Sequence, residues 1–358
     1  MKIKIYTDCP LDLYYEGVYY LKKLNKVEDV ELIGTRFFYY AYIKLNNNFR
    51  LFKNLRSLIM GKKGAIRGEP VTNLRGSLSA PFRLLFTKNI ILSIAACRNS
   101  IYFLYLLKLL GKNLIFYSSW PYYGKEWIRK PRFGDNEPLW KLFFKNIKAV
   151  GINKHAAEGM KLLGAKTCHI PHCVDTSVFR PRKSKNEKLT ALYVGRLNEA
   201  KGIRSILGLA DKFPKVRFVF VGSGPLEDEV KNNKNVEFLG KVSDRDKMAE
   251  IYGGSDIFIL NSYKTPEWEE VFGRVLIEAM ASGLAVISTD CIGPKEIIDG
   301  KNALMIEQRN DMQLLEKFEL LLKDKKLREE LGKNARECAV EKYDTAKIAE
   351  KWLEAIKR

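Results

Sequence analysis

Residues 269–290 read EEVFGRVLIEAMASGLAVISTD, and two periodicities meet inside them. The first half carries apolar residues at helical spacing and predicts a helix over 275–281. After the Ser282-Gly283 break, the second half is continuously apolar and predicts a buried strand over 285–290. Glu270 and Glu278 stand eight residues apart. Glu278 has only apolar neighbours (Leu276, Ile277, Ala279, Met280), so its carboxylate is costly there unless it meets a ligand hydroxyl or a partner. Glu270 falls at the expected helix entrance, where the helix dipole favours a carboxylate. Gly273 leaves room for close backbone approach. For the two glutamates alone, one capping and one solvated residue is the commoner reading.

The same alternation of short apolar runs and amphipathic stretches extends outward in both directions. Strands are expected at 2–8, 30–37, 89–95, 113–119 and 149–153, then at 190–197, 217–222, 236–240, 257–261, 285–290 and 303–307, with helices such as 244–252 and 275–281 between them. Strand–helix repetition of this kind predicts an α/β fold of two doubly wound parallel sheets, which bind ligands at the carboxyl ends of their strands. The 358 residues suit two domains. Their junction is the polar, Pro181-containing stretch 175–188, so the expected domains are 1–174 and 175–344. The segment 345–358 is amphipathic and must dock, since such a helix is marginal by itself; it is expected to join the first domain.

Composition narrows the function classes. The chain is 46% hydrophobic and 29% charged, which excludes a disordered tail-like protein. Six scattered cysteines form no C-x-x-C pair, which points away from zinc knuckles and disulfide frameworks. No secretory leader is read, and 90–97 and 101–110 are too short to span a bilayer. A cytoplasmic protein, peripheral at most to the cytoplasmic face of a membrane, is expected. Residues 1–170 hold 29 Lys/Arg against 11 Asp/Glu, nearly all of the net +20. That field attracts polyanions. In 36–68, apolar residues at 45, 49, 52, 55, 58 and 59 alternate with Lys44, Arg50, Lys53, Arg56, Lys62 and Lys63. Two readings stay open for it: a helix on an anionic membrane, or a core helix with a solvated basic face. No helix-turn-helix, RNA-recognition or zinc signature accompanies the charge, so no nucleic-acid partner is expected.

Several further strings share an order with the glutamate segment: IPHCVDTSVFRP (170–181), YVGRLNEAKG (193–202), FVGSGPLEDEV (220–230), VEFLGKVSDRDKMAEIYGGSDIFILNS (236–262) and CIGPKEII (291–298). Over roughly 168–310 the chain resembles the retaining GT-B glycosyltransferases of the glycosyl transferases group 1 (family 4), which carry a Glu-x7-Glu motif. The resemblance implies two Rossmann-like domains facing a cleft and hexosyl or N-acetylhexosaminyl transfer from a UDP- or GDP-sugar. The acceptor stays unidentified: a lipid-linked glycan, a membrane lipid, a polysaccharide and a small polyol are all open. Arg196 and Lys201 would neutralise the donor diphosphate, Glu278 would accept from the ribose, and Glu270 would hold the transferred sugar. Gly222, Gly240, Phe272 and Gly273 would shape the donor pocket, and backbone amides around Gly293 would cradle phosphate with Glu296 nearby. Catalysis would rest on Glu270, Arg196 and Lys201. No unambiguous nucleophile is visible, so front-face attack is expected, with double displacement as the alternative.

The chain departs from the family pattern in three places. The glycine pair before the last motif helix is Ile292-Gly293, and the first strand is followed only by Gly17 rather than a Gly-Gly loop. All three histidines (155, 169 and 172) cluster near the hinge, leaving Ser119 or Trp120 where relatives often place one. Gly17, Ser119 and Trp120 are therefore the acceptor-side candidates, with Trp120, Tyr122 and Tyr123 suited either to sugar stacking or to a core. Asp244 and Asp246 spell D-x-D but read as a helix start, so neither a metal nor another cofactor is expected. A GT-B sugar-nucleotide epimerase and a non-catalytic GT-B scaffold at a membrane are the alternative functions.

Overall fold

Short apolar runs become strands wherever both faces of a sheet are covered, and here every strand pairing is parallel. In a computed structural model the described residues are 1–7, 15–34, 83–94, 100–120, 137–145, 147–182, 188–266 and 268–357. They fall into two compact units, Met1–His169 with Trp352–Arg358, and Ile170–Lys351. The basic segment 36–68, with Tyr122 and Tyr123, lies outside the described residues.

The first unit runs β1 (Lys2–Thr7), α1 (Glu16–Lys23), β2 (Asp29–Gly34), β3 (Asn89–Ser93), α2 (Ser100–Leu109), β4 (Asn113–Ser118), α3 (Glu137–Phe144), β5 (Lys148–Gly151), α4 (Lys154–Leu162) and β6 (Lys166–His169). Its sheet order is β2-β1-β3-β4-β5-β6. Ile90, Leu92, Leu114 and Phe116 from the strands meet Leu104, Leu107, Trp140 and Phe144 from α2 and α3 in one core. Helix α4 starts where Asn153 accepts a hydrogen bond from the Ala156 amide at 2.7 Å, a side-chain cap.

The second unit runs β7 (Thr190–Arg196), a 3₁₀ turn (Glu199–Lys201), α5 (Ile203–Lys212), β8 (Arg217–Ser223), α6 (Glu227–Asn232), β9 (Val236–Phe238), α7 (Arg245–Gly253), β10 (Ile257–Leu260), α8 (Arg274–Ala281), β11 (Ala285–Thr289), α9 (Pro294–Ile297), β12 (Leu304–Ile306), α10 (Asp311–Lys323) and α11 (Lys325–Lys342). The order β12-β11-β10-β7-β8-β9 places the reversal of strand sequence between β7 and β10. In such sheets the carboxyl ends of the strands at that reversal are the general place for ligands. Every motif residue of the glutamate segment follows β10, and Arg196 and Lys201 follow β7.

Two features brace this unit. The Arg336 guanidinium donates to the carbonyls of Thr176, Phe179 and Ala281 at 2.7–3.0 Å, tying 176–179 to the end of α8. The amide of Val174 donates to Tyr343, and that of Thr345 returns to Val174.

The last helix, α12 (Thr345–Lys357), ends in the first unit. There Trp352 meets Tyr117 edge-on at 5.2 Å between ring centroids, and Asn113 Nδ2 donates to the Ile356 carbonyl at 2.9 Å. An amphipathic helix is stabilised by such burial more than by its own propensity. Trp352→Ala is expected to destabilise the first unit by about 3–5 kcal/mol, seen as a lower denaturant midpoint; an unchanged midpoint would show that the helix end contributes little.

Candidate active site

At the carboxyl ends of β7 and β10, glycines let two loops touch. Gly202 adopts φ +62°, and a Cβ on it would lie 2.3 Å from the Asn261 carbonyl oxygen. The turn carrying Lys201 therefore sits directly against the end of β10. The Tyr263 amide donates to the Ala200 carbonyl at 2.9 Å and fixes this contact. Gly222 is held as tightly: its Cβ would fall 1.8 Å from the Gly195 oxygen, and its amide donates to Gly240 at 2.8 Å. Gly222 and Gly240 are thus joined beyond the ends of β8 and β9, and Gly240 itself is a turn glycine with φ +65° and open space around it.

Glu270 lies in the loop before α8, four residues ahead of its first residue, Arg274. The expectation that the helix dipole favours its carboxylate is therefore corrected. A cation does that work: Lys201 Nζ forms an ion pair with Glu270 Oε2, and the two side chains are only 14% and 13% exposed. Ser262 Oγ adds a longer contact at 3.4 Å. On its other side the Lys201 ammonium lies over the Trp268 ring, 4.4 Å from the centroid. Arg196 is exposed and forms no ion pair among the described residues. Its carbonyl accepts from the buried Tyr193 hydroxyl at 2.8 Å, which aims the chain after β7. Burial, and then the Glu270 charge, push the Tyr193 hydroxyl well above its usual pKa, so it stays a donor.

Glu278 does meet a partner inside the apolar helix. Arg274 Nε donates to Oε1 at 3.0 Å, and the buried Tyr252 hydroxyl donates to Oε2 at 3.2 Å. Burial, then Glu278, hold the Tyr252 hydroxyl protonated. Gly273 caps this helix with φ +90°, a conformation that side chains rarely adopt, while the space around it is ordinary.

Gly293 serves a contact within the protein. Its amide already donates to the Glu270 carbonyl at 2.9 Å, and the Ile292 amide donates to Glu269 Oε1 at 3.0 Å. A Cβ at 293 would stand 2.2 Å from the Phe272 nitrogen. This glycine lets the glutamate loop lie against the start of α9. Phe272 likewise turns its ring inward, 5.0 Å from His172 and 6.1 Å from Tyr343, so only its backbone can serve a ligand. Glu296 sits half-buried on α9.

In the first unit, Gly17 is buried at the start of α1, while Ser119 and Trp120 are exposed just after β4. Thr7 Oγ1 and the Tyr15 hydroxyl share a hydrogen bond of 2.7 Å, and the Tyr15 ring meets Tyr117 at 6.0 Å. The three candidates thus border the carboxyl end of one sheet. Asp244 is a helix cap, accepting from the Lys247 amide at 2.7 Å, as its sequence context implied. Among the described residues no three metal-ligating side chains gather.

Arg274, Tyr252, Trp268 and Glu269 were missed by sequence reasoning. Arg274 alone had a visible signal, its i,i+4 spacing to Glu278; the others depend on long-range packing.

Comparisons with known proteins bear on the same residues. The family model for glycosyl transferases group 1 matches residues 175–338. Sulfoquinovosyl transferase SQD2 of Arabidopsis thaliana is 27% identical over 250 residues, 63% of this chain and 46% of that protein. The N,N'-diacetylbacillosaminyl-diphospho-undecaprenol alpha-1,3-N-acetylgalactosaminyltransferase of Campylobacter jejuni is 32% identical over 247 residues, 62% of this chain and 63% of that protein. Spore coat protein SA of Bacillus subtilis is 31% identical over 190 residues, 48% of this chain and 49% of that protein. The chain thus spans about half to under two thirds of these curated relatives. Among solved structures, Anabaena HepE in complex with UDP matches with a TM-score of 0.71 at 16% identity, covering all of both chains. Sucrose-phosphate synthase of Thermosynechococcus elongatus matches at 0.68 and 17%, covering 100% of this chain and 98% of that one. At these identities the likeness establishes the fold, which is GT-B.

His172 supplies a pH test of the packing behind the site. It is buried against Phe272, and burial, then the Arg274 charge, hold its pKa well below the usual value. The folded state therefore keeps it neutral while the unfolded chain binds a proton below about pH 6.5. Stability should fall as pH drops through that value, by up to about 1.4 kcal/mol per pH unit from this residue. Denaturant titrations of wild type and His172→Asn between pH 7.5 and 5 check it: the variant's slope should be shallower, and equal slopes would refute a neutral buried His172.

Proposed function

We propose, for a chain that belongs to the glycosyl transferases group 1 through residues 175–338, that it transfers a sugar from a UDP- or GDP-sugar to an acceptor hydroxyl with retention at the anomeric carbon. The observation that carries this reading is the Lys201–Glu270 ion pair, set at the strand-order reversal beside an exposed Arg196. Two cations at one strand end suit a diphosphate leaving group, whose charge grows as the glycosidic bond breaks. Glu270, held by its own carbonyl as well as by Lys201, is placed to accept from hydroxyls of the sugar.

The other carboxylate suits the nucleoside. Each oxygen of an ionised carboxylate accepts about two hydrogen bonds. Arg274 and Tyr252 donate to one oxygen each of Glu278 and hold the carboxylate in one orientation, which suits it to the vicinal ribose hydroxyls. In the transfer step the acceptor oxygen bonds to the anomeric carbon as the carbon–phosphate oxygen bond breaks. The acceptor proton passes to the departing phosphate oxygen, so no protein nucleophile is required. Lys201 and Arg196 supply the positive charge, and activity is expected to survive chelation of divalent metals. A glycan hydroxyl on a lipid diphosphate is the acceptor class we favour. Its support is the undecaprenol-linked substrate in the name of the Campylobacter relative and the excess of basic residues in the first 170 positions.

Isothermal titration of UDP- and GDP-sugars, followed by turnover assays, tests this reading. Glu278→Ala should weaken donor binding, and Arg196→Ala should lower turnover by about tenfold or more. Unchanged constants in both variants overturn the site assignment.

A further inference from the structure

An indole can fill a core or receive a cation on its face, and the group it covers decides which. Trp268 stands two residues before Glu270 and is half-buried. Among the described residues it does not join the apolar core of the second unit. Its ring covers an ammonium instead, with Lys201 Nζ 4.4 Å from the centroid. The Lys201 side chain is only 14% exposed, so this attraction acts largely out of water, where a cation over an indole counts for most.

The main chain sets the position of the ring. Thr265 and Trp268 close a turn on each other: the Thr265 amide donates to the Trp268 carbonyl at 2.7 Å, and the Trp268 amide donates to Thr265 Oγ1 at 3.0 Å. The approach to that turn is fixed twice. The Lys264 amide donates to Gln308 Oε1 at 2.6 Å, and the Arg309 guanidinium covers the Tyr263 ring, 4.3 Å from its centroid. The exit is fixed by Glu269, which accepts from the Ile292 amide at 3.0 Å and pairs with Lys264 at 3.5 Å. The Tyr263 amide donates to Ala200, one residue before Lys201, so the loop with the ring and the turn with the lysine are tied together.

A lysine needs such support more than an arginine would. Its ammonium is a point charge with three rotatable donors on a flexible four-carbon stem. Glu270 answers that charge, and a sugar hydroxyl that bonds to Glu270 removes part of this hold. The indole face attracts the cation without accepting one of its N–H bonds in the ordinary way, so the donors stay available to carboxylate and phosphate oxygens.

We infer that Trp268 is a positioning residue for Lys201: its indole face keeps the ammonium at the end of β7 while the hydrogen bonds of that ammonium pass from Glu270 to the donor diphosphate. The inference rests on the transferase reading of the site and adds to it a side chain that acts through Lys201 rather than on the ligand.

Isothermal titration of UDP-glucose and GDP-mannose into the full chain tests it, using whichever of the two wild type binds more tightly. Trp268→Leu should weaken binding by about tenfold, while Trp268→Phe, which keeps an aromatic face, should stay within about threefold of wild type. The same comparison in a Lys201→Met background, where no ammonium remains to be held, isolates the coupling. There Trp268→Leu should change the affinity by about twofold or less. A second tenfold loss in that background overturns the inference, since the ring would then stack on the nucleotide or merely hold the glutamate loop. Trp268→Leu binding equal to wild type overturns it as well. Glu278→Ala and Arg196→Ala keep the two readings apart. If both weaken binding, the donor site stands whatever Trp268 does. If neither does, or if neither nucleotide-sugar binds wild type, the site assignment fails and the inference falls with it.

Discussion

The position of both glutamates depends on one backbone contact. The Gly293 amide donates to the Glu270 carbonyl, and the absence of a side chain at 293 lets the Phe272 backbone lie against the start of α9. Glu269 reinforces it by accepting from the Ile292 amide. With its main chain anchored behind, the loop must turn the Glu270 side chain forward to Lys201, and Gly273 then starts α8 so that Glu278 follows one and a half turns later. A glycine that sequence reasoning gives to a ligand is needed first by the protein itself. Close backbone approach is served by the same missing Cβ whether the neighbour is a phosphate or a peptide, and a sequence cannot tell the two apart.

Much of the second unit was legible because its determinants are local. The alternation of apolar runs and amphipathic helices marks the strands through β12, and Asp244 caps α7 as its neighbours imply. Glu278 was legible as an anomaly, since a carboxylate among Leu276, Ile277, Ala279 and Met280 demands a partner. The identity of that partner was only half legible. Arg274 is four residues away on the same helix, but Tyr252 arrives from α7, and no local pattern announces it. The mistaken helix-entrance role for Glu270 has the same origin. The helix begins only at Arg274, and the cation that replaces the dipole comes from a turn 69 residues earlier.

The first unit shows the opposite balance. Its sheet is readable from β1 through β5, whereas the short edge strand β6 was not read, and its distinctive chemistry is not periodic. Residues 101–110 look in sequence like one apolar core run. Only the fold separates Leu104 and Leu107, which fill the core, from Leu106 and Leu109, which do not. A helix that is apolar nearly all round has two faces to satisfy, and a single sheet covers one of them.

The two ion pairs of the site bear on how an anionic ligand is held. Lys201 and Glu270, like Arg274 and Glu278, are each mostly buried, so desolvation offsets much of their mutual attraction. Before any ligand arrives, the Lys201 charge is already answered by Glu270, and Arg196 alone of the two strand-end cations makes no ion pair among the described residues. Under the proposed function, a diphosphate would gain its first attraction from Arg196, and a share of Lys201 only as Glu270 finds other donors. Sugar hydroxyls are such donors. A ligand that carries both groups satisfies the carboxylate and the ammonium together, whereas a nucleoside diphosphate without the sugar leaves Glu270 competing for the same lysine. In that reading the pair would couple recognition of the sugar to recognition of the phosphate through one hydrogen-bonded ammonium.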